Sequence, residues 1–188
     1  MLQNGKCHQC KKIISIQYPL VELLTPVIFY FGFIRGWETP DYITFLFISS
    51  ILITISIIDF KTFTIPLSLI ICLMITESVF IYYNLESLKD MFLGFMFGVS
   101  YLGIPFVITS IIYKKQTLGY GDLLLVSLLG IWIGLINILL CIFIACVLGI
   151  FIWIGNRLWK NENVKLPFGT YLSMSAILLK ILDINIPI

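Results

Sequence analysis

The run Leu123–Ile154 contains no charged residue, and its length is its most restrictive property. A membrane-spanning helix needs about 20 predominantly apolar residues, within a range of about 17–25, so this run is too long for a single span. We predict that it divides near Gly134–Asn137 into a short helix Asp122–Gly134 and a second helix Ile136–Asn156. One unbroken, tilted helix is the alternative. The division gives about seven spans, and the unbroken helix gives six.

Five further apolar runs have the length of single spans. They are Leu20–Arg35, Tyr42–Ile58, Ile65–Tyr83, Met91–Tyr113 and Phe168–Leu182. The chain is 60% hydrophobic and only 12% charged, whereas globular domains in water carry about 25% charged residues. We therefore predict an all-α, polytopic transmembrane helix bundle over residues 20–188, preceded by a short polar segment over residues 1–19.

The positive charges predict how the bundle is oriented. With seven spans and the N-terminus inside, nine Lys and Arg residues lie in inner segments and three in outer segments. The inner residues are Lys6, Lys11, Lys12, Lys61, Lys114, Lys115, Arg157, Lys160 and Lys165, and the outer residues are Arg35, Lys89 and Lys180. Because cytoplasmic loops carry the excess of Lys and Arg, we predict a cytoplasmic segment 1–19 and an external C-terminus. The net charge of +2 is too small to indicate a nucleic-acid partner, and the expected surroundings are a lipid bilayer.

Two acids fall at the cytoplasmic ends of predicted helices. Asp59 ends an apolar run, and Asp122 follows the glycines Gly119 and Gly121. Acids near the ends of spans are costly to keep and mark functional sites by default. An acid is unfavourable at the C-terminal end of a helix, which argues against a purely structural role for Asp59. Aspartate is among the best N-caps, so a structural cap remains the alternative for Asp122.

Two carboxyl groups at one membrane face suit the hydrolysis of a peptide bond. In a poorly solvated site such a pair can share a proton, because both groups cannot easily ionise together. One then acts as general base on a water molecule and the other as general acid toward the carbonyl group. We predict that Asp59 and Asp122 form this pair, and that Gly119 and Gly121 let the substrate backbone approach. A small transporter or proton-relay protein is the alternative, because intramembrane acids also mark ion paths.

Four ordered segments resemble the type IV prepilin leader peptidases, which are bacterial aspartic membrane proteases of the GxGD type. Two of them are the aspartate motifs, Asp59 to Ile65-Pro66 and Gly119-Tyr120-Gly121-Asp122. The others are the segment from the C-x-x-C of Cys7 and Cys10 to Thr25, and Lys165-Leu166-Pro167-Phe168-Gly169.

The resemblance implies an aspartic endopeptidase of the bacterial cytoplasmic membrane. Its implied substrate is a type IV prepilin or pseudopilin, cut after a glycine at the cytoplasmic face, with no cofactor required for proteolysis. Asp59 and Asp122 are the implied catalytic pair. Pro66, Pro167 and Gly169 belong to the motifs that shape the approach of the substrate.

The head of the chain departs from the family's pattern. Family members commonly begin with another transmembrane helix and a first C-x-x-C, and bifunctional members are also N-methyltransferases. Here Cys7 and Cys10 stand alone near the start, and two thiolates form at most part of a four-ligand zinc site. We therefore do not expect zinc, S-adenosylmethionine or methyltransferase activity.

Two positions within the motifs also differ from the family's pattern. Leu67 stands where the family often has an acid, and Thr170 stands where it often has proline. The chain keeps both aspartates, so we expect an active peptidase. A catalytically inactive scaffold for pilus assembly is the alternative.

Overall fold

Helix is the only regular structure in the parts of the chain that the computed structural model describes, which are residues 15–114, 119–160 and 166–182. The helices are α1 Gln17–Ile34, α2 Thr39–Thr62, α3 Leu67–Tyr83, α4 Leu88–Tyr113, α5 Tyr120–Lys160 and α6 Phe168–Leu182. A short 3-10 turn, Leu85–Ser87, precedes α4. Stretches within α1, α2, α4 and α5 are long and apolar enough to cross a membrane, and α3 and α6 are shorter apolar helices. The prediction of an all-α, polytopic membrane bundle is confirmed.

Helix α5 is broken at Gly134, where φ is 78° and ψ is 178°. Only glycine adopts this backbone conformation without a steric penalty. The amide of Leu135, which follows the break, donates a hydrogen bond of 3.1 Å to Oδ1 of Asp90. Residues 120–133 and 135–160 are therefore two arms, and the predicted division near Gly134–Asn137 is confirmed over the unbroken alternative.

The two arms of α5 run in opposite directions, as their contacts with α6 show. The start of α6 lies beside Asp59, because the Thr170 amide donates to that carboxylate, and its end lies where Lys180 donates to the carbonyl of Trp132. The first arm thus ends at the Lys180 end of the bundle. Gly149, on the second arm, lies beside Tyr171 near the start of α6, so this arm returns toward Asp59.

Glycines bring α4 and the first arm of α5 into close antiparallel contact. A methyl group added at Gly94 would meet the carbonyl group of Gly130, and one added at Gly98 would lie 2.9 Å from the carbonyl oxygen of Val126. Small residues are what allow helix backbones to approach in a membrane, where the apolar effect between helices is weak. The glycines of α4 therefore set the position of the arm that begins with Asp122.

Helix α2 is central to the bundle and α1 is peripheral. Apolar side chains of α2 at helical spacing, among them Phe45, Ile48, Leu52 and Ile55, are at most 1% exposed. On α1, by contrast, only Ile28 and Gly32 are buried. The first half of α1 has no fully buried residue, and a groove is left between it, α2 and α6.

The predicted helix bounds agree with the structure to about one helical turn, and one difference affects the acids. Helix α2 was expected to end at Ile58, immediately before Asp59, but it continues to Thr62. Phe63 closes the helix in a left-handed conformation, with φ of 54°, and its amide donates to the carbonyl of Asp59. Asp59 therefore lies inside the last turn of α2, and the helical backbone determines the direction in which its side chain leaves the helix.

Candidate active site

Asp59 is held between the end of α2 and the start of α6. Its side chain is 4% exposed. Oδ2 accepts hydrogen bonds from the Thr170 amide at 2.8 Å and lies 3.2 Å from the Thr170 hydroxyl. Free N–H groups and the positive dipole end at the start of a helix favour a nearby negative charge. The start of α6 therefore offsets the unfavourable position of Asp59 at the end of its own helix.

Asp122 lies in the first turn of α5 and is partly buried. Its amide donates to the carbonyl of Gly119 at 3.2 Å, so the glycine turn leads directly into the helix. A methyl group added at Gly119 would lie 3.1 Å from Oδ2 of Asp122. The absence of a side chain at Gly119 therefore leaves space next to the carboxyl group.

Ile65 lies between the two aspartates and is close to a glycine beside each of them. A methyl group added at Gly121 would lie 2.9 Å from Cβ of Ile65, and one added at Gly169 would lie 2.8 Å from its Cδ1. The same addition at Gly169 would come within 3.1 Å of Oδ2 of Asp59. The carboxyl groups of Asp59 and Asp122 interact electrostatically. The structure thus brings the two acids to one end of the bundle, around one isoleucine.

The two prolines of the motifs frame the helices at this site. Pro66 is the residue before α3, in an extended conformation with ψ of 129°. Pro167 is buried and immediately precedes α6. Both prolines therefore lie at helix starts, where their missing N–H group is tolerated, and α6 is aimed at Asp59 as a result. Cys7 and Cys10 lie outside the described residues.

The contact between Thr170 and Asp59 was not predicted from the sequence. In the sequence it is only a departure from a motif that often has proline. In the structure both its amide and its hydroxyl group face Asp59, and the hydroxyl oxygen also lies 2.9 Å from the carbonyl oxygen of Ser56. Its position in the first turn of a helix, where amides are free to bind an acid, was the available signal.

An apolar groove lies beside this site, along one side of α2. It has a volume of about 250 Å³ and lies between α1, α2 and α6. Its lining includes Leu20, Leu24, Ile53, Phe60, Thr170 and Met174. Because Thr170 also contacts Asp59, the groove and the buried acid share a wall. A long apolar segment could lie in this groove with one end near the acids.

A metal centre is not found among residues 15–114, 119–160 and 166–182, where no three His, Cys, Asp or Glu side chains are grouped as ligands. The chemistry available within the described site is therefore that of two carboxyl groups, one threonine and exposed backbone at the glycines. This set can activate water and donate a proton, and it contains no serine–histidine or cysteine–histidine nucleophile pair.

Comparison with known proteins decides the family. The family model described as "Type IV leader peptidase family" matches residues 46–154, which include both acids and more than half of the chain. The chain belongs to the type IV leader peptidase family. A second model, "Bacterial Peptidase A24 N-terminal domain", matches residues 1–35. The resemblance found in the sequence is confirmed, and this family member is a multi-pass membrane protein.

Curated relatives agree along almost the whole chain. A "Prepilin leader peptidase/N-methyltransferase" of Neisseria gonorrhoeae is 31% identical over 94% of this chain and 61% of its own length. One of Pseudomonas aeruginosa is 32% identical over 92% of this chain and 61% of its own length. A "Type 4 prepilin-like proteins leader peptide-processing enzyme" of Escherichia coli is 28% identical over 94% of this chain and 65% of its own length. This family member thus spans about three fifths of the length of the relatives. No solved structure matches it significantly.

Proposed function

We propose that this leader peptidase family member is an aspartic endopeptidase that cleaves the leader peptide of type IV prepilins or pseudopilins, with Asp59 and Asp122 as its catalytic pair. The observation that supports this function most directly is the meeting of the two acids around Ile65. One comes from the end of α2 and the other from the start of α5, and their carboxyl groups interact. Two structurally separate acids that converge in this way suit shared acid–base chemistry.

The proposed reaction uses water as the nucleophile. One carboxylate takes a proton from a water molecule, and the water oxygen attacks the carbonyl carbon of the scissile bond. The other carboxyl group, which is protonated, donates its proton to the carbonyl oxygen. The resulting diol then collapses: one of its hydroxyl groups gives a proton to the ionised member of the pair, the carbon–nitrogen bond breaks, and the leaving amine takes a proton from the protonated member, so that the pair ends with the single proton it began with. No covalent intermediate with the protein forms, and no cofactor is needed for this cleavage.

The groove between α1, α2 and α6 is the proposed place for the apolar helix of the substrate. The resemblance to the leader peptidases implies that a prepilin substrate has a short basic leader followed by a hydrophobic helix. The groove is apolar and ends at Thr170, beside Asp59. A helix lying there would leave its first residues at the acids, while Gly119 and Gly121 leave room for the extended backbone of the scissile bond.

The proposed orientation places both acids at the cytoplasmic face of the bacterial cytoplasmic membrane. The distribution of Lys and Arg supports it, since the inner segments carry nine of the twelve. Water and the basic leader of a substrate would both reach the acids from this side. A topology reporter fused after Ile188 should be active only outside the cytoplasm, and a reporter fused at the N-terminus should be active only inside it.

The decisive experiment is cleavage of a prepilin-like peptide by the purified full chain in lipid nanodiscs. We expect two products, with masses that correspond to a single cut after the glycine of the leader. A matched peptide with bulky valine in place of that glycine is the control, and it should remain intact. A transporter or an inactive scaffold would leave both peptides uncut, so the absence of any product would refute the proposed activity.

A further inference from the structure

The surroundings of Thr170 contain more hydrogen-bond acceptors than its hydroxyl group can serve at once. The Thr170 hydroxyl oxygen lies 2.9 Å from the carbonyl oxygen of Ser56 and 3.2 Å from Oδ2 of Asp59. A hydroxyl group has one proton to donate and two lone pairs with which to accept. It can therefore donate fully to Ser56 or to Asp59, but not to both.

The two choices correspond to the two protonation states of Asp59. When Asp59 is ionised, the hydroxyl proton points at Oδ2, which then accepts it. When Asp59 carries a proton on Oδ2, the acid donates that proton to the Thr170 oxygen, and the threonine proton turns to the carbonyl of Ser56. The Thr170 amide lies 2.8 Å from Oδ2, and its N–H group is a donor whichever state the acid has.

We propose that Thr170 is a positioning residue whose hydroxyl group rotates between Ser56 and Asp59 as Asp59 loses and gains its proton. The movement is a rotation about the Cβ–Oγ bond, and no proton leaves the threonine. Asp59 is 4% exposed, and a buried polar group without a partner is costly. The rotation keeps a partner for the carboxyl group in both states, so its oxygens stay in place while its charge changes.

This role rests on the proposed function, in which Asp59 must change its protonation state in every cycle. An aspartate that stayed in one state would need only a fixed donor or a fixed acceptor. A proline, which the family often has at this position, supplies neither an amide proton nor a hydroxyl group. The arrangement is therefore a property of this chain, and the departure from the motif is what creates it.

The test compares Thr170→Val, which replaces the hydroxyl group by a methyl group of similar size, with Thr170→Ser, which keeps it. Thr54→Val is the matched control, because Thr54 is exposed on α2 and its hydroxyl group donates to the carbonyl of Ser50 in the same helix. Peptide cleavage gives kcat and KM separately. Infrared difference spectra, with Asp59→Asn used to assign the band, report the carboxyl group of Asp59 directly.

For Thr170→Val we expect kcat to fall about tenfold at unchanged KM, the effect of losing one hydrogen bond to an ionisable group. The carbonyl band of protonated Asp59 should move to higher frequency. Thr170→Ser should keep both kcat and the frequency of the Asp59 band near their wild-type values, and Thr54→Val should change neither. A Thr170→Val protein with the wild-type kcat and an unmoved Asp59 band would overturn the proposal.

The spectroscopic result separates this role from the peptidase function itself. If the wild-type chain cleaves no peptide but the Asp59 band still moves in Thr170→Val and returns in Thr170→Ser, the hydroxyl role stands and the proposed function fails. If cleavage is normal and the band is insensitive to Thr170, the function stands and the hydroxyl role fails.

Discussion

The two ends of the bundle use aspartate in different ways. At the Lys180 end, Asp90 accepts from the amide of Leu135, and Asp41 accepts from the side-chain amide of Asn84 at 2.7 Å. Each of these acids has a neutral donor and holds a turn or a pair of helix ends in place. At the Ile65 end, Asp59 and Asp122 interact with each other. Asp59 also accepts from the neutral Thr170 amide, so what distinguishes the Ile65 end is the pairing of two like acids, which is unfavourable by itself and on which the proposed chemistry rests.

The largest expected effect comes from removing one acid at the Ile65 end. Asp59→Asn and Asp122→Asn should each lower kcat by about 10²–10⁴-fold, the range for general acid–base groups, because water activation needs both. Asp41→Asn, at the other end, should cleave at nearly the wild-type rate. Peptide cleavage followed by mass spectrometry measures all three. If either Asp59→Asn or Asp122→Asn kept most of the wild-type kcat, the proposed catalytic pair would be wrong.

A smaller loss is expected when the space beside the acids is filled. Gly169→Ala places a methyl group 2.8 Å from Cδ1 of Ile65 and 3.1 Å from Oδ2 of Asp59. Displacement of a catalytic group by about 1 Å costs up to about 10²-fold in rate. Adding Ile65→Val, which removes Cδ1, should recover part of the loss.

Gly155→Ala is the control for this substitution, because the added methyl group would meet no atom within 4 Å beyond its chain neighbours and its own helix backbone. It should leave kcat unchanged. Equal activity of Gly169→Ala and Gly155→Ala would show that the site tolerates extra volume, and that close packing does not set the position of Asp59.

The groove should affect binding more than chemistry. Met174→Trp narrows the groove, and we expect KM to rise about fivefold, equivalent to about 1 kcal/mol, with kcat unchanged. Leu178→Trp is the control, because Leu178 lies one turn further along α6, is similarly exposed and does not line the groove. Kinetics with a peptide that includes the hydrophobic helix measure the difference. A similar KM for both variants would contradict the groove as the binding place.

The smallest effect on activity is expected at the Lys180 end. Asp90→Ala removes the acceptor for the Leu135 amide and should lower the free energy of unfolding by about 1 kcal/mol, as the loss of a helix cap does. Asp90→Asn keeps an acceptor and should therefore have most of the wild-type free energy of unfolding. Thermal unfolding in nanodiscs measures stability, and cleavage well below the midpoint should be unchanged. A large loss of kcat with normal stability would mean that this end also takes part in the chemistry.

The sequence predicted the helices, the division of the long run and the two acids because each depends on local properties. Apolar length determines a span, and Gly134 alone permits the break that its φ of 78° requires. The extension of α2 past Asp59 was missed because the apolar run ends at this charged residue, and the end of an apolar run is not always the end of its helix. The contacts of Thr170 and Asp90 depend on packing, because their partners come from other helices; the first-turn position of Thr170 indicates a free amide but not the acid that it meets.

The shortness of the helices around the acids has a consequence for the surrounding lipid. Helix α3 has 17 residues and α6 has 15, and at 1.5 Å per residue the latter is about 22 Å long. The first arm of α5, residues 120–133, is about 20 Å long by the same measure. The hydrocarbon layer of a bilayer is about 30 Å thick. We expect lipid tails next to these helices to shorten or tilt, which would thin the membrane near Asp59 and Asp122. Water then reaches the acids over a shorter distance, and bilayers of short-chain lipids should favour turnover.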